Sequence, residues 1–177
     1  KIGIEIGSNN HIIVDKNGKT NLDNIYAVGD VIGPPWLAHV SSSEGLYVVE
    51  HIAKLSPKKI DYDCVPACTY SKPEIGSIGL SQKILDERGI DYKVVKSFFN
   101  ANGKAVASDS TEGFIKILVS DRNQILGAHI IGSNATEMIS EFSLAMSNNL
   151  SVENILDSIH PHPTFSEAIF ETLMQLR

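Results

Sequence analysis

Two apolar runs that flank a polar turn constrain the fold of this chain most strongly. Residues Gly113–Ser120 and Gln124–Ile131 are rich in isoleucine and leucine, and Asp121-Arg122-Asn123 lies between them. Asp and Asn favour turns because their side chains bond to nearby backbone amides. A short turn between two strands also makes the strands antiparallel. The sequence therefore predicts an antiparallel hairpin in the second half of the chain.

Further strands and helices are predicted around this hairpin. The patterns indicate strands at 67–70, 75–79 and 93–99 and helices at 81–88, 134–148, 152–155 and 165–176. Ser81 is suited to the start of a helix, and Gly89 is suited to the position just after its end. Antiparallel strands with helices on one side form an α+β layer. We therefore expect residues 61–177 to form an α+β domain.

The first sixty residues have a different pattern. A strand is predicted at His11–Asp15, running into the turn residues Asn17-Gly18, and a second strand is predicted at Ile25–Val28. A helix is predicted from Ala38 to about Leu55. The apolar residues spaced for one face of this helix are Val40, Leu46, Val49 and Ile52. Because these elements are too few to close a covered sheet, residues 1–60 are interpreted as the last piece of a larger α/β domain.

Composition excludes several classes of function. The 177 residues carry a net charge of −6, with 42% hydrophobic and 20% charged residues, as is ordinary for a globular protein. The chain has no basic cluster interleaved with aromatic residues, which argues against a nucleic-acid partner. It has no apolar run long enough to span a bilayer, which argues against a membrane partner. No spacing of His and Cys residues suggests a metal site.

The two cysteines are expected to be structural thiols. Cys64 and Cys68 are separated by three residues, including Pro66, whereas redox pairs usually form a C-x-x-C turn that lowers one thiol pKa. The flanking residues have the character of a strand. Free thiols of this kind are expected in a reducing compartment.

The run His160-Pro161-His162-Pro163-Thr164-Phe165-Ser166-Glu167 carries the clearest chemical signal. Proline fixes its own φ and pushes the preceding residue towards extended geometry, so His162 has little backbone freedom. A base held in this way suits proton transfer, which depends on geometry before pKa. Glu167 is placed to orient the ring and to stabilise the imidazolium, as an orienting acid does in a catalytic triad.

The same run also fits a helix cap. Thr164 is a suitable N-cap residue, and Glu167 is spaced to reach back to the Thr164 amide. The apolar stripe that would follow consists of Phe165, Ile169, Leu173 and Leu176. Capping needs only Glu or Gln, whereas orienting a charged histidine needs the carboxylate. Spacing alone leaves both roles open.

Several short motifs follow one another in a characteristic order along the chain. They are residues 24–30 (NIYAVGD), 36–39 (WLAH), 62–66 (YDCVP), 73–76 (PEIG), 126–130 (LGAHI) and 160–167 (HPHPTFSE). In this order they resemble the pyridine nucleotide-disulfide oxidoreductases and, among these, the dihydrolipoamide dehydrogenases. The resemblance covers essentially the whole chain. Each motif alone is weak, and the ordered set is specific.

The resemblance implies roles for individual residues. Asp30 would bind the ribityl hydroxyls of FAD. The flavin would be lined by Trp36, Leu37, Ala38 and His39, partly through backbone amides. His162 would be the acid/base and Glu167 its orienting partner, while His160 would be a neighbour in the site without a direct catalytic role.

The resemblance also implies an organisation and a reaction. Residues 1–60 would be the C-terminal segment of an α/β FAD-binding domain, and residues 61–177 an interface domain of antiparallel sheet and helices that forms a homodimer. The intact protein would oxidise dihydrolipoamide and reduce NAD+, using FAD. Its partners would be the lipoyl domains of 2-oxo-acid dehydrogenase complexes, in a bacterial cytoplasm or a mitochondrial matrix. The redox disulfide and the NAD domain would lie outside these residues, so the chain alone is expected to be inactive.

Two other readings remain open from the sequence. The first is another disulfide reductase of the same family, of the glutathione-reductase or mercuric-reductase type, although the His-x-His-Pro-Thr-x-Ser-Glu form favours dihydrolipoamide dehydrogenase. The second is a dimerisation module only, in which the apolar faces of helices 133–149 and 165–176 make subunit contacts rather than core.

Overall fold

The computed structural model describes residues 2–177. The chain divides into two compact units, one ending at Asp61 and the other running from Tyr62 to Arg177. The second unit contains the sheet. The first contains one long helix and a series of turns.

The second unit is built on a five-stranded antiparallel sheet in the order β1-β2-β5-β4-β3. The strands are β1 (Ala67–Thr69), β2 (Ile75–Gly79), β3 (Lys93–Phe98), β4 (Gly113–Val119) and β5 (Ile125–Gly132). The predicted hairpin is confirmed as β4–β5. The predicted α+β fold class is confirmed as well.

Five helices complete this unit: α2 (Gln82–Arg88), α3 (Gly103–Ala107), α4 (Ala135–Ser147), α5 (Val152–Leu156) and α6 (Glu167–Leu173). Short 3-10 helices occur at Tyr62–Cys64, Phe99–Ala101 and Met174–Leu176. The Ser81 side chain accepts a hydrogen bond from the Ile84 amide, and Gly89 has a φ of +63°, so both predicted end signals of α2 are confirmed. Helix α3 was not predicted from the sequence.

The core lies between the sheet and two helices. Helix α4 packs on β2 and β5, and α6 packs on β3 and β4. Fully buried residues of this core include Ile115, Ile117, Ile130, Phe142, Ile169 and Leu173. Each such side chain stabilises the fold by about 1.5–3 kcal/mol relative to its exposed state. The apolar faces of both helices therefore belong to the core of this unit, and the predicted stripe of α6 is confirmed.

Helix α6 begins two residues later than predicted, at Glu167. The Ala168 and Ile169 amides donate to the carbonyls three residues earlier, which makes a tighter turn before the helix. The Thr164 hydroxyl donates to the Pro161 carbonyl instead of accepting from the helix amides. Thr164 is therefore not the N-cap residue that the spacing predicted, although Glu167 does reach back to its amide.

Both strands predicted in the first unit are wrong. They were expected at residues 11–15 and 25–28. The structure makes only isolated bridges there, pairing Ile6 with Ile12 and Lys19 with Tyr26. A strand needs successive residues paired with one neighbour, whereas the Ile12 amide donates to Val31 and the next amide donates to Glu5.

The first unit also contains a 3-10 helix at Gly29–Ile32 and helix α1, Ala38–Ile52. The buried residues of α1 are Val40, Glu44 and Val48, at intervals of four. Three of the four residues predicted to share one face are mostly exposed, namely Leu46, Val49 and Ile52. The apolar pattern failed because a carboxylate occupies the middle of the buried face. The Glu44 Oε2 atom accepts a 2.6 Å hydrogen bond from the Gly29 amide, which compensates its burial.

Candidate active site

The segment that joins α5 to α6, residues 157–166, carries the two histidines of the sequence signal. Both flanking helices are held firmly by the core. Ile155 and Leu156 of α5 are buried, and so are Ile169 and Leu173 of α6. The short connection between two packed helices limits the positions that its side chains can reach.

His162 and Glu167 form a direct contact. The His162 Nδ1 atom lies 2.9 Å from Glu167 Oε1. An ionised carboxylate only accepts hydrogen bonds, so Nδ1 donates. The other oxygen, Glu167 Oε2, accepts from the Thr164 amide at 2.8 Å. One carboxylate thus makes both contacts that the sequence had left as alternatives, one through each oxygen.

The rest of the His162 ring faces solvent. Its side chain is 77% exposed. Within residues 2–177, its Nε2 atom makes no hydrogen bond. A neutral ring that donates from Nδ1 carries its lone pair on Nε2, so the nitrogen that can take a proton is the accessible one.

The environment of Glu167 keeps it ionised. The hydrogen bond from the Thr164 amide and then that from His162 lower the pKa of the Glu167 carboxyl. The charges of His162 and His160 act in the same direction. A charged Glu167 is the form that holds Nδ1–H and stabilises a protonated ring.

His160 forms a second histidine–carboxylate pair. Its Nε2 atom lies 2.9 Å from Glu141 Oε1 on α4, and its side chain is only 9% exposed. Its Nδ1 atom lies 3.3 Å from the Ser158 carbonyl, and its ring lies 5.9 Å from that of Phe170. A cavity of about 410 Å³ is lined in part by His160 and Glu167. His160 of one pair and Glu167 of the other therefore border a common space.

The described residues contain no other obvious reactive centre. Across residues 2–177, no group of three or more His, Cys, Asp or Glu side chains could hold a metal ion. In the same range, no disulfide joins Cys64 to Cys68, and burial raises the pKa of the Cys68 thiol, which disfavours its thiolate. None of the helices described is long and apolar enough to cross a membrane.

Sequence comparison places the chain in a family. The dimerisation-domain model of the pyridine nucleotide-disulphide oxidoreductases matches residues 65–173, and a second model of this family matches residues 1–45. The chain belongs to the pyridine nucleotide-disulphide oxidoreductases. Proteins of this family use FAD and NAD.

The relatives of this oxidoreductase chain include mitochondrial dihydrolipoyl dehydrogenases. That of Sus scrofa is 44% identical over 97% of this chain and 34% of its own length. That of Pisum sativum is 41% identical over 98% of this chain and 35% of its own length. The chain spans about a third of the length of these curated relatives.

The fold of this chain is also found in solved structures of other proteins. LpdA from Mycobacterium tuberculosis superposes with a TM-score of 0.93 at 26% identity, covering 99% of this chain and 39% of that chain. The HOCl-induced flavoprotein disulfide reductase RclA from Escherichia coli gives 0.87 at 26% identity, covering 98% and 40%. The five-stranded sheet with its helices is therefore consistent with the dimerisation domain of a disulfide oxidoreductase.

The residues expected at the flavin lie together in one short segment of the first unit. Asp30 is an exposed residue of the 3-10 helix Gly29–Ile32, and Trp36 is 63% exposed, with its ring 6.3 Å from that of His11. Leu37 precedes helix α1 without a side-chain cap, and the helix opens with Ala38 and His39.

The chemistry of this segment fits a flavin nucleotide. The exposed carboxylate of Asp30 can accept hydrogen bonds from hydroxyl groups. The start of a long helix without a side-chain cap offers backbone donors and a partial positive charge to electronegative atoms. Gly29, with a φ of +76°, holds the turn close to α1, because a Cβ there would lie 2.7 Å from Ser41 Oγ. The segment can therefore supply both a hydroxyl acceptor and amide donors.

Sequence reasoning missed two carboxylates. Glu141 was not associated with the histidine run, from which it is 19 residues distant. Glu44 was not recognised on the buried face of α1. A weak signal existed for Glu44, since its spacing of four from both Val40 and Val48 aligns the three on one face. No local signal marks Glu141.

Proposed function

We propose that the protein containing this chain is a dihydrolipoyl dehydrogenase, which oxidises dihydrolipoamide and reduces NAD+. The observation that carries this proposal is the His162–Glu167 contact, in which the ring donates from Nδ1 and exposes Nε2. It is supported by 41–44% identity to dihydrolipoyl dehydrogenases over nearly the whole chain. A positioned base is what oxidation of a dithiol requires, because the thiolate is the nucleophile.

In this proposal His162 moves the proton. Its Nε2 takes the proton from a thiol of dihydrolipoamide, and the Glu167 carboxylate stabilises the imidazolium through Nδ1–H. The substrate thiolate then attacks a protein disulfide, forming a mixed disulfide and releasing one cysteine thiolate. By family analogy, that disulfide belongs to the opposite subunit. The exposure of His162 is consistent with a site that another subunit completes.

The first unit contributes to the flavin site. Residues 1–60 would be the C-terminal segment of the FAD-binding domain, with Asp30 accepting from ribityl hydroxyls and Trp36–His39 lining the flavin. FAD, when bound, supplies a two-electron acceptor between the disulfide and NAD+. Residues 61–177 would be the interface domain. The family model for this part describes a dimerisation domain, which supports a homodimer.

The wider setting is part of the same proposal. The partners would be lipoyl domains of 2-oxo-acid dehydrogenase complexes. The names of several relatives describe them as mitochondrial, which supports a location in the mitochondrial matrix if the source is a eukaryote. In a bacterium the protein would be located in the cytoplasm. The chain alone would have no turnover, because its only cysteines are Cys64 and Cys68, and burial raises the pKa of the Cys68 thiol.

The test uses protein expressed from the complete reading frame that contains this chain. We expect a flavin-containing dimer that reduces NAD+ when dihydrolipoamide is added. The matched variant is His162→Gln, which should keep its flavin and lose most of this turnover. A wild-type flavoprotein without dihydrolipoamide turnover would contradict the substrate assignment.

A second candidate is a different disulfide reductase of the family. The structural likeness to RclA favours it, because that protein is named a flavoprotein disulfide reductase and superposes over 98% of this chain. Oxidation of NADH or NADPH with glutathione disulfide as acceptor separates the two. Turnover with glutathione disulfide in the absence of dihydrolipoamide turnover would favour the second candidate. A protein with no flavin and no turnover would leave a dimerisation module, for which sedimentation should show a stable dimer.

A further inference from the structure

The histidine of the second pair, His160, is fixed from three directions. His160 Nε2 meets Glu141 on α4 at 2.9 Å, and Nδ1 meets the Ser158 carbonyl of its own segment at 3.3 Å. The Phe170 ring of α6 closes the third side. The neighbouring Ile159 side chain is 98% exposed and makes no such anchor. The segment is therefore attached to the core through the His160 ring.

Both partners of the His160 ring are hydrogen-bond acceptors, a carboxylate on α4 and the Ser158 carbonyl. The contact to Glu141 is the shorter one, at 2.9 Å, and it ties the ring to α4. The charged groups near it are Glu141 on α4 and, beside the cavity, Asp157, Glu167 and Glu171.

The anchor lies next to the proposed acid/base. Only Pro161 separates His160 from His162, and a proline has a fixed φ. On the other side of His162, the Thr164 hydroxyl donates to the Pro161 carbonyl at 2.7 Å. The backbone that carries His162 is thus held at both ends. A displacement of the His160 ring is therefore expected to displace the His162 side chain as well.

We propose that His160 and Glu141 form a positioning pair that holds His162 against Glu167. This inference rests on the proposed function, because it assigns the pair a part in the same proton transfer. His160 and Glu141 do not touch the reacting thiol in this account. They fix the segment whose exposed histidine does.

The kinetic test uses the full-length flavoprotein and three variants on α4. Glu141→Ala removes the acceptor, Glu141→Gln keeps an acceptor oxygen without charge, and Glu137→Ala is the control, an exposed residue one turn away. Two activities are compared: dihydrolipoamide-dependent NAD+ reduction, which needs His162, and NADH-dependent reduction of ferricyanide, which does not. Misplacement of a reacting group by about 1 Å can cost on the order of a hundredfold in rate.

We expect Glu141→Ala to lower kcat with dihydrolipoamide by about tenfold or more, with little change in the ferricyanide activity. Glu141→Gln should recover most of the lost kcat, and Glu137→Ala should match the wild type. An unchanged kcat in Glu141→Ala would overturn the proposal. An equal fall in both activities would also overturn it, since that result describes general damage to the fold.

A crystal structure of full-length Glu141→Ala tests the positioning without any substrate. The account expects the His162 Nδ1 to Glu167 Oε1 contact, 2.9 Å in this structure, to be lost or lengthened beyond hydrogen-bonding range. A retained contact would overturn the positioning role. If the wild-type enzyme does not use dihydrolipoamide, the proposed function fails, and this measurement still decides the inference on its own.

Discussion

The structure contains two histidine–carboxylate pairs whose histidines, His160 and His162, are two residues apart in the sequence. The two pairs have the same hydrogen-bond length but differ in their exposure to solvent. His162 and Glu167 are joined at 2.9 Å with the ring 77% exposed, whereas His160 and Glu141 are joined at 2.9 Å with the ring 9% exposed. The difference shows that the pair itself does not define a catalytic group. What distinguishes His162 is one nitrogen held by a carboxylate and the other open to a substrate.

The largest expected effect is on the exposed pair. Replacing His162 with Gln removes the accessible base, and general acid–base groups contribute about 10²- to 10⁴-fold to rate. Turnover of dihydrolipoamide by the full-length enzyme should fall within this range, while the flavin absorbance per subunit is unchanged. A variant with near-normal turnover would show that the exposed histidine is not the base.

The next effect separates the two contacts of Glu167. Glu167→Gln can still accept from the Thr164 amide through its amide oxygen but cannot stabilise an imidazolium by charge, whereas Glu167→Ala loses both. We expect both variants to lose activity, on the order of tenfold to a hundredfold. Only Glu167→Ala should also show a clearly lower melting temperature. Full activity in Glu167→Gln would favour a capping role alone.

The pH dependence of stability should reveal the same carboxylate. The Thr164 amide and the His162 ring lower the pKa of Glu167 below its usual 4.5. The unfolded state therefore binds this proton more readily, and the stabilising contribution is present above pH 4.5 and is lost as the pH falls through the lower folded-state pKa. The melting-temperature difference between wild type and Glu167→Ala should shrink as the pH falls through the folded-state pKa of Glu167. A difference that stays the same in acid would contradict this assignment.

The smallest expected effect is that of Thr164, whose hydroxyl holds the backbone on the two sides of His162 together. Thr164→Val removes the hydroxyl that donates to the Pro161 carbonyl, and loss of one such hydrogen bond costs about 1 kcal/mol. Turnover should fall less than with Glu167→Gln or Glu167→Ala, because in Thr164→Val the Glu167 carboxylate still accepts from the backbone amide of residue 164. Thr164→Ser keeps the hydroxyl and is the matched control. Equal losses of stability in the two variants would exclude the hydroxyl as the cause.

Sequence patterns predicted the elements of the second unit well because those elements bury their apolar faces against one another. The β4–β5 hairpin and the stripe of α6 were found because strand and helix periods match the buried faces of one core. The α1 pattern failed because its buried face includes Glu44, whose burial depends on the distant Gly29 amide. Apolar periodicity predicts which residues are buried only where the burial results from apolar contacts.

The site was predictable to the extent that it is local in sequence. His162, Glu167 and the Thr164 amide lie within six residues, so spacing alone suggested their contacts. Glu141 reaches His160 only because α4 and the segment before α6 meet in the folded chain, and nothing near either residue indicates the other. The start of α6 at Glu167 could not be predicted either, since it depends on the Thr164 hydroxyl donating to the Pro161 carbonyl rather than accepting from a helix amide.

The most direct measurement is a double-mutant cycle on the exposed pair in the full-length enzyme. The rate of flavin reduction by dihydrolipoamide is measured for wild type, His162→Gln, Glu167→Gln and the double variant. If Glu167 acts through His162, the double variant should be about as slow as His162→Gln alone, because the carboxylate then has no imidazolium to stabilise. Losses that multiply would show that the two residues act independently, and the His162–Glu167 pair would not be the acid/base unit.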